Sequence, residues 1–367
     1  MTRIDPPTHV PRRKPPLRKR LVQAVGWVGF VGGGLVTPRL AAKAAARVWC
    51  KLPGNPGRRK DNRPWPGQLS RFRHESGSDL VIETWEPHSH PPAEQPAPNK
   101  SPDDFLGEAP TATDLDDAAT PSPAAQVSPP AEPAPNKSPD DFLGGASSHP
   151  ADGPEPKTVL LVHGWGGWRG QVAAFVAPLT RDGFRVIAFD ALSHGDSGPG
   201  EHGASHSSGG ELTRSLEAVA SGIGQPYGVI AHSLGCAAVC RAYLGGTVTF
   251  EKLTLVSPSP DMRQVAASFA RKLGFRKRAT RMLTEEMEKR AHGKLAEFDI
   301  ADMGATGALP DALVIHDAAD KESPYRVSQD IAERWTGARL MTTEGLGHHR
   351  ILIKPAVVEA AAANMLD

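Results

Sequence analysis

The residue best placed for covalent chemistry is Ser233, in the run VIAHSLGCAA. An apolar, strand-like stretch meets a small-residue, helix-like stretch there, with the serine at the junction. The pentapeptide Ala-His-Ser-Leu-Gly is close to the G-x-S-x-G pattern, which holds a hydroxyl exposed on a sharp strand-to-helix turn. So tight a turn needs small neighbours. Gly235 meets that need, and Ala231 departs from glycine by one methyl. A serine at such a place is also a common helix cap, so the pentapeptide needs partners. Serine is a weak nucleophile until a base takes its proton. Candidate bases are His348 and His349 in GLGHHRIL, and candidate acids are Asp317 and Asp320 in IHDAADKESP.

These residues need a scaffold that brings them together. From Lys157 onward, apolar runs alternate with helix-like segments, which predicts a parallel sheet covered on both faces. The strands are expected at Val159–His163, Arg185–Asp190, Tyr227–His232, Lys252–Ser257, Ala312–Asp317 and Ala338–Thr342. Helices are expected near 169–182, 209–223, 234–244, 324–335 and 355–366. Ser233, Asp320 and His348 then all follow strands, at the carboxyl edge where α/β sheets place their sites. Two small-residue loops share that edge: HGWGGW after the first parallel strand and FDALSHGDSG after the second. Residues 72–86 alternate polar and apolar around Gly77 and Ser78, which predicts a hairpin added to the sheet edge.

With HGWGG at 163–167, DALSHGDS at 190–197, AHSLG at 231–235, IHDAADKESP and GLGHHRIL in this order, the chain resembles the α/β-hydrolase superfamily. The likeness is to bacterial hydrolases of the serine aminopeptidase and carboxylesterase-like type, and it covers roughly 62–87 and 157–367. It implies Ser233 as nucleophile, His348 as base and Asp320 as the acid that orients the imidazole. It also implies an oxyanion hole made by the backbone N–H groups of Trp165 and Leu234. The family position favours Asp320 over Asp317, and His348 over His349. His232 reads as a packing or hydrogen-bonding residue, and Cys236 and Cys240, at i and i+4, as part of a buried helix face. A cap is expected near 258–310, with two short basic helices in 269–294.

The organisation expected is therefore a basic N-terminal region (1–61), an edge hairpin (62–87), an inserted segment (88–156) and the α/β-hydrolase domain (157–367). The insertion holds 16 Pro and 12 Asp/Glu in 69 residues, too little apolar surface to offset backbone entropy, so disorder is expected. It carries APNKSPDDFLG twice, at 97–107 and 134–144, either as a docking motif or as a duplication without consequence. Residues 21–36 form an apolar run with five Gly, short for a membrane span, following seven Lys/Arg in residues 1–20. Residues 1–50 read either as a membrane contact through anionic head groups or as an amphipathic helix packed on the globular domain.

The 42 Lys+Arg against 41 Asp+Glu argue against a generally basic nucleic-acid binder. Three cysteines, Cys50, Cys236 and Cys240, give no disulfide framework and no CxxC pair, so no metal or cofactor is expected. A cytoplasmic location, with membrane association left open, fits that usage. The expected activity is a serine hydrolase of a carboxylic ester or amide. An acyltransferase with the same nucleophile and a non-catalytic interaction protein of this fold are the alternatives.

Overall fold

The structure is a computed structural model that describes residues 37–53, 60–88 and 154–367. Both APNKSPDDFLG copies and the apolar run 21–36 lie outside the described residues. Eight strands form one sheet: β1 (Gln68–Arg73), β2 (Asp79–Trp85), β3 (Thr158–Val162), β4 (Arg185–Asp190), β5 (Gly228–His232), β6 (Lys252–Val256), β7 (Ala312–Asp317) and β8 (Ala338–Thr343). Their spatial order is β1-β2-β4-β3-β5-β6-β7-β8. The β1–β2 and β2–β4 pairs are antiparallel, and all others are parallel. The helices are α1 (Pro38–Trp49), α2 (Val176–Arg181), α3 (Gly209–Ile223), α4 (Leu234–Leu244), α5 (Met262–Lys272), α6 (Lys277–Ala291), α7 (Ile300–Gly304), α8 (Arg326–Arg334), α9 (Gly347–Arg350) and α10 (Pro355–Leu366).

The central strands read as unbroken apolar runs because both faces of the sheet are covered. In β3, Leu160 and Val162 join the core beneath α3 and α4, while Val159 and Leu161 join the core beneath α2 and α10. Successive side chains of a strand point to opposite faces, so one run feeds two cores. A third cluster lies apart from the sheet. Ala41, Ala42, Ala45 and Ala46 of α1 pack there against Ala266 and Ala270 of α5 and Ala279, Leu283 and Met287 of α6. The segment before Pro53 is thus an amphipathic helix seated on the cap.

Three elements differ from expectation. The hairpin's first strand starts at Gln68 and ends at Arg73, earlier than the 72–76 expected. The helix expected over 169–182 is broken into two 3-10 turns, Arg169–Gln171 and Ala173–Phe175, followed by α2. Pro178, inside the first turn of α2, disfavours α-helical bonding back to the Ala174 carbonyl, so the regular helix begins only at Val176. The cap's first helix starts at Met262, seven residues before the basic stretch, because the Asp261 carboxylate accepts from the Arg263 N–H at 2.8 Å and caps it.

Candidate active site

Ser233 sits between β5 and α4 with φ 54° and ψ −123°, a conformation non-glycine residues rarely hold. Its surroundings over-determine that geometry. The Ser233 N–H donates to the Val256 carbonyl at 3.1 Å. A Cβ on Gly164 would stand 2.7 Å from the Ser233 Cβ, and one on Gly235 would stand 2.6 Å from the His163 carbonyl oxygen. These contacts are why HGWGG and AHSLG need glycine where they have it. Ala231 is buried within β5, where its extra methyl is accommodated. Ser233 is the N-cap of α4, yet its side chain makes no capping bond. The hydroxyl instead lies 3.0 Å from Nε2 of His348.

His348 follows β8 in α9, and its Nδ1 lies 2.7 Å from Oδ2 of Asp320, just past β7. The arrangement fits an imidazole that donates from Nδ1 to the carboxylate and accepts the serine proton at Nε2. The Asp320 Oδ1 accepts from the backbone N–H groups of Glu322 at 2.8 Å and Ser323 at 3.0 Å. Burial alone would raise this carboxyl. Hydrogen bonds from His316 and His348 and from the two amides outweigh it, holding Asp320 well below the usual carboxylate range.

His316, the penultimate residue of β7, is the partner that sequence reasoning passed over. Its Nε2 lies 3.3 Å from the same Asp320 oxygen and 3.1 Å from the Ser323 carbonyl, and its Nδ1 lies 2.6 Å from Ser328 Oγ. The structure separates the competing candidates by contact. Asp317 does not touch His348. Its carboxylate accepts from the Ala319 N–H at 3.0 Å, Thr343 Oγ1 at 2.9 Å and the Leu346 N–H at 2.9 Å. Burial opposes the Asp317 charge, but the Gly347 and Leu346 amides and the Thr343 hydroxyl hold its carboxyl below its ordinary value. It thereby ties the loop bearing His348 to the end of β7. His349 points away from the serine, to Glu322 at 3.1 Å and Gln171 at 3.2 Å.

His232 donates from Nε2 to the His348 carbonyl at 3.0 Å, and its ring centroid lies 4.8 Å from that of His348. Full burial holds it neutral, well below its ordinary value near 6.5. His163 accepts the Ala191 N–H at Nε2, 3.1 Å away, and so pins the HGWGG turn to the loop after β4. The Leu234 N–H is the first of α4 and has no carbonyl four residues back to take it. The Trp165 N–H lies in the turn closed by the Gly167 N–H on the Gly164 carbonyl at 3.0 Å. Cys236 and Cys240 are buried, and burial pushes the Cys236 thiol well up and the Cys240 thiol up to about 12.

A buried ion network braces the loop behind this site. The Glu83 carboxylate, on β2, accepts from Arg169 Nε at 2.9 Å, Arg63 Nη1 at 3.1 Å and the Gly67 N–H at 2.9 Å. Arg169 also pairs with Asp190 at the end of β4 and with Asp196 at 2.9 Å. Glu83, Arg169 and Asp190 are each at least 97% buried by side chain. An acid within the apolar run DLVIETW was the signal in the sequence.

The serine opens into a cavity of about 350 Å³. Trp165, Leu234 and His348 line it beside Ser233, Met262 and Met287 come from the cap, and Phe298 from the turn after it. Trp49 and Cys50, at the end of α1, complete the wall.

A sequence model described as the alpha/beta hydrolase family matches residues 159–361. The chain belongs to that family. Among solved structures, it is similar to alpha/beta hydrolase domain-containing protein 10 from mouse, at 11% identity and TM-score 0.50, over 82% of this chain and 98% of that one. It is also similar to an esterase from Exiguobacterium antarcticum, at 13% identity and TM-score 0.48, over 82% and 100% of the two chains. A hydrolase from Pseudomonas aeruginosa matches at 18% identity and TM-score 0.48, over 82% and 98%. Such identities speak to the hydrolase fold alone. No curated protein matches the chain. The family match begins inside β3, so α1 and the β1–β2 hairpin lie outside it.

Proposed function

We propose that this hydrolase cleaves carboxylic esters with an apolar acyl group, through an acyl-enzyme on Ser233. The observation that carries the reading is the continuous chain Ser233 Oγ–His348 Nε2, 3.0 Å, and His348 Nδ1–Asp320 Oδ2, 2.7 Å, at the floor of an apolar cavity. His348 takes the hydroxyl proton as Ser233 Oγ attacks the ester carbon. The carbonyl oxygen becomes an oxyanion that the Leu234 and Trp165 N–H groups stabilise, each donor contributing roughly 3 kcal/mol in the transition state. Collapse of the intermediate breaks the ester C–O bond. His348 gives its proton to the departing alcohol. Water then attacks the acyl-enzyme, His348 takes one of its protons, and release of the carboxylic acid returns the proton to Ser233. Asp320, held ionised, stabilises the transient imidazolium.

The cavity of about 350 Å³ is near the small end of ligand pockets, which suits a short to medium acyl chain. The test is labelling with a fluorophosphonate and a chain-length series of p-nitrophenyl esters. The wild type is expected to label, and Ser233→Ala to lose both label and turnover. Labelling that survives in Ser233→Ala, or a folded wild type that neither labels nor turns over any ester, refutes the proposal. Product analysis with added alcohols separates hydrolysis from acyl transfer.

A further inference from the structure

The described part of the N-terminal region has an outer face that no part of the described fold covers. On α1, Arg39, Lys43 and Arg47 are exposed, and so are Leu40, Ala44 and Val48. At 3.6 residues per turn these six form two adjacent stripes, one basic and one apolar, opposite the alanines that pack on the cap. Leu40 is 65% exposed and Val48 52%, and both lie on the same stripe of the helix. Beside α1, Arg276, Lys277 and Arg278 at the start of α6 are also exposed. Among the described residues, none of Arg39, Lys43, Arg47, Arg276, Lys277 and Arg278 has a carboxylate within salt-bridge distance, while Arg281 further along reaches Glu285 at 3.6 Å. Residues 37–53 contain no acid at all.

From this we infer that the outer face of α1, with the start of α6, docks on an anionic lipid surface. Charge complementarity names the partner, since a polybasic face is attracted to anionic head groups. The apolar stripe distinguishes lipid from other polyanions: Leu40 and Val48 would enter the boundary between head groups and acyl chains while Arg39, Lys43 and Arg47 stay with the phosphates. The chain continues upstream of Thr37 into the apolar sequence 21–36 and seven Lys/Arg before it, the same composition again. The same helix also reaches the site. Trp49 and Cys50 at its end line the cavity that opens at Ser233, so docking through α1 would bring that cavity to the lipid surface. The docking itself stands apart from the hydrolytic reading and is measured without it.

The test uses the full chain in vesicle flotation, with 7:3 phosphatidylcholine:phosphatidylglycerol against phosphatidylcholine alone, and turnover of a short water-soluble ester as a control. The wild type is expected to float with the anionic vesicles, less so as salt is raised. Each neutralised cation lowers partitioning by roughly fivefold, so R39Q/K43Q/R47Q is expected to lose about a hundredfold. L40S/V48S is expected to weaken binding to anionic vesicles while leaving its salt dependence. Both variants keep short-ester turnover at the wild-type value, since none of these side chains lines the cavity. Equal flotation with neutral vesicles, or no flotation of wild type, overturns the inference. So does undiminished flotation of R39Q/K43Q/R47Q that is lost on deleting residues 1–36. Flotation that requires deletion of residues 89–153 would assign the face to that acidic stretch of the chain, and binding to poly-glutamate but to no vesicle would assign it to an acidic protein. Either result also overturns the lipid proposal.

Discussion

Replacing Asp317 with Asn separates two aspartates that stand three positions apart and compete for one role. Asp320 is the carboxylate that meets His348, at 2.7 Å, whereas Asp317 gathers Thr343 Oγ1 and the Leu346 N–H at 2.9 Å each and the Ala319 N–H at 3.0 Å. A hydrogen bond to a charged group contributes about 1.5–3 kcal/mol and a neutral one about 0.5–1.5, so three such bonds losing the charge cost about 3 kcal/mol. For a domain of this size that is a fall in Tm of roughly 6–12 °C. The amide's NH2 also faces donors on one side, which loosens the 344–347 loop and displaces His348. A displacement near 1 Å can lower the chemical rate about a hundredfold. Asp317→Asn should therefore lose stability and one to two decades of kcat with little change in KM. Asp320→Asn should lose about 10⁴ in kcat, because the imidazole then presents the wrong tautomer. The sign with pH follows from the lowered Asp317 value: its contribution is complete above the unfolded value near 3.8 and is lost as pH falls through the lower folded value. The stability gap between wild type and Asp317→Asn should therefore close in acid. Calorimetry across pH 2–7 (on the order of one scan per unit) with ester kinetics reads all of this. The reasoning fails if Asp317→Asn loses as much activity as Asp320→Asn, or if it matches wild type in both Tm and kcat.

Two further outcomes follow from other parts of the molecule. Glu83→Gln removes the carboxylate that meets Arg169 and Arg63, leaving a buried guanidinium short of partners, and should lower stability by about 3–5 kcal/mol in denaturant titration. A loss below about 1 kcal/mol would mean the network relaxes or is hydrated. His232 is held neutral in the fold, while in the unfolded chain it takes a proton near pH 6.5. Wild type should then lose about 1.4 kcal/mol per pH unit from this group below that point, and His232→Gln should show a shallower slope by that amount. Parallel slopes for the two proteins would sink that account.

The class of fold was legible because a parallel sheet is buried on both sides. Strands β3 to β7 therefore appear as apolar runs that need no alternation to be recognised, and β4 and β7 fall on the residues expected. The serine turn was legible for a related reason: Gly164 must be small where its loop passes Ser233, and Gly235 where α4 starts against the His163 carbonyl. His348 and Asp320 came instead from the motif order of the resemblance. The helix after β3 starts later than its apolar pattern suggests, in part because Pro178 limits bonding to the Ala174 carbonyl.

By itself, then, the chain's order of residue types determined the sheet and the edge at which Ser233, Asp320 and His348 come together. The residues alone left Asp317 and Asp320 open, and only the resemblance favoured Asp320; the fold shows which carboxylate faces the His348 ring and which faces the amides before it. Nor could spacing along the chain join His316 to Asp320, Glu83 to Arg169 across 86 positions, or Trp49 to the wall of a cavity that opens at Ser233. Those contacts exist because packing brings distant segments within hydrogen-bond and van der Waals range, and interactions of a few ångströms are decided by position in space, to which separation along the backbone is no guide.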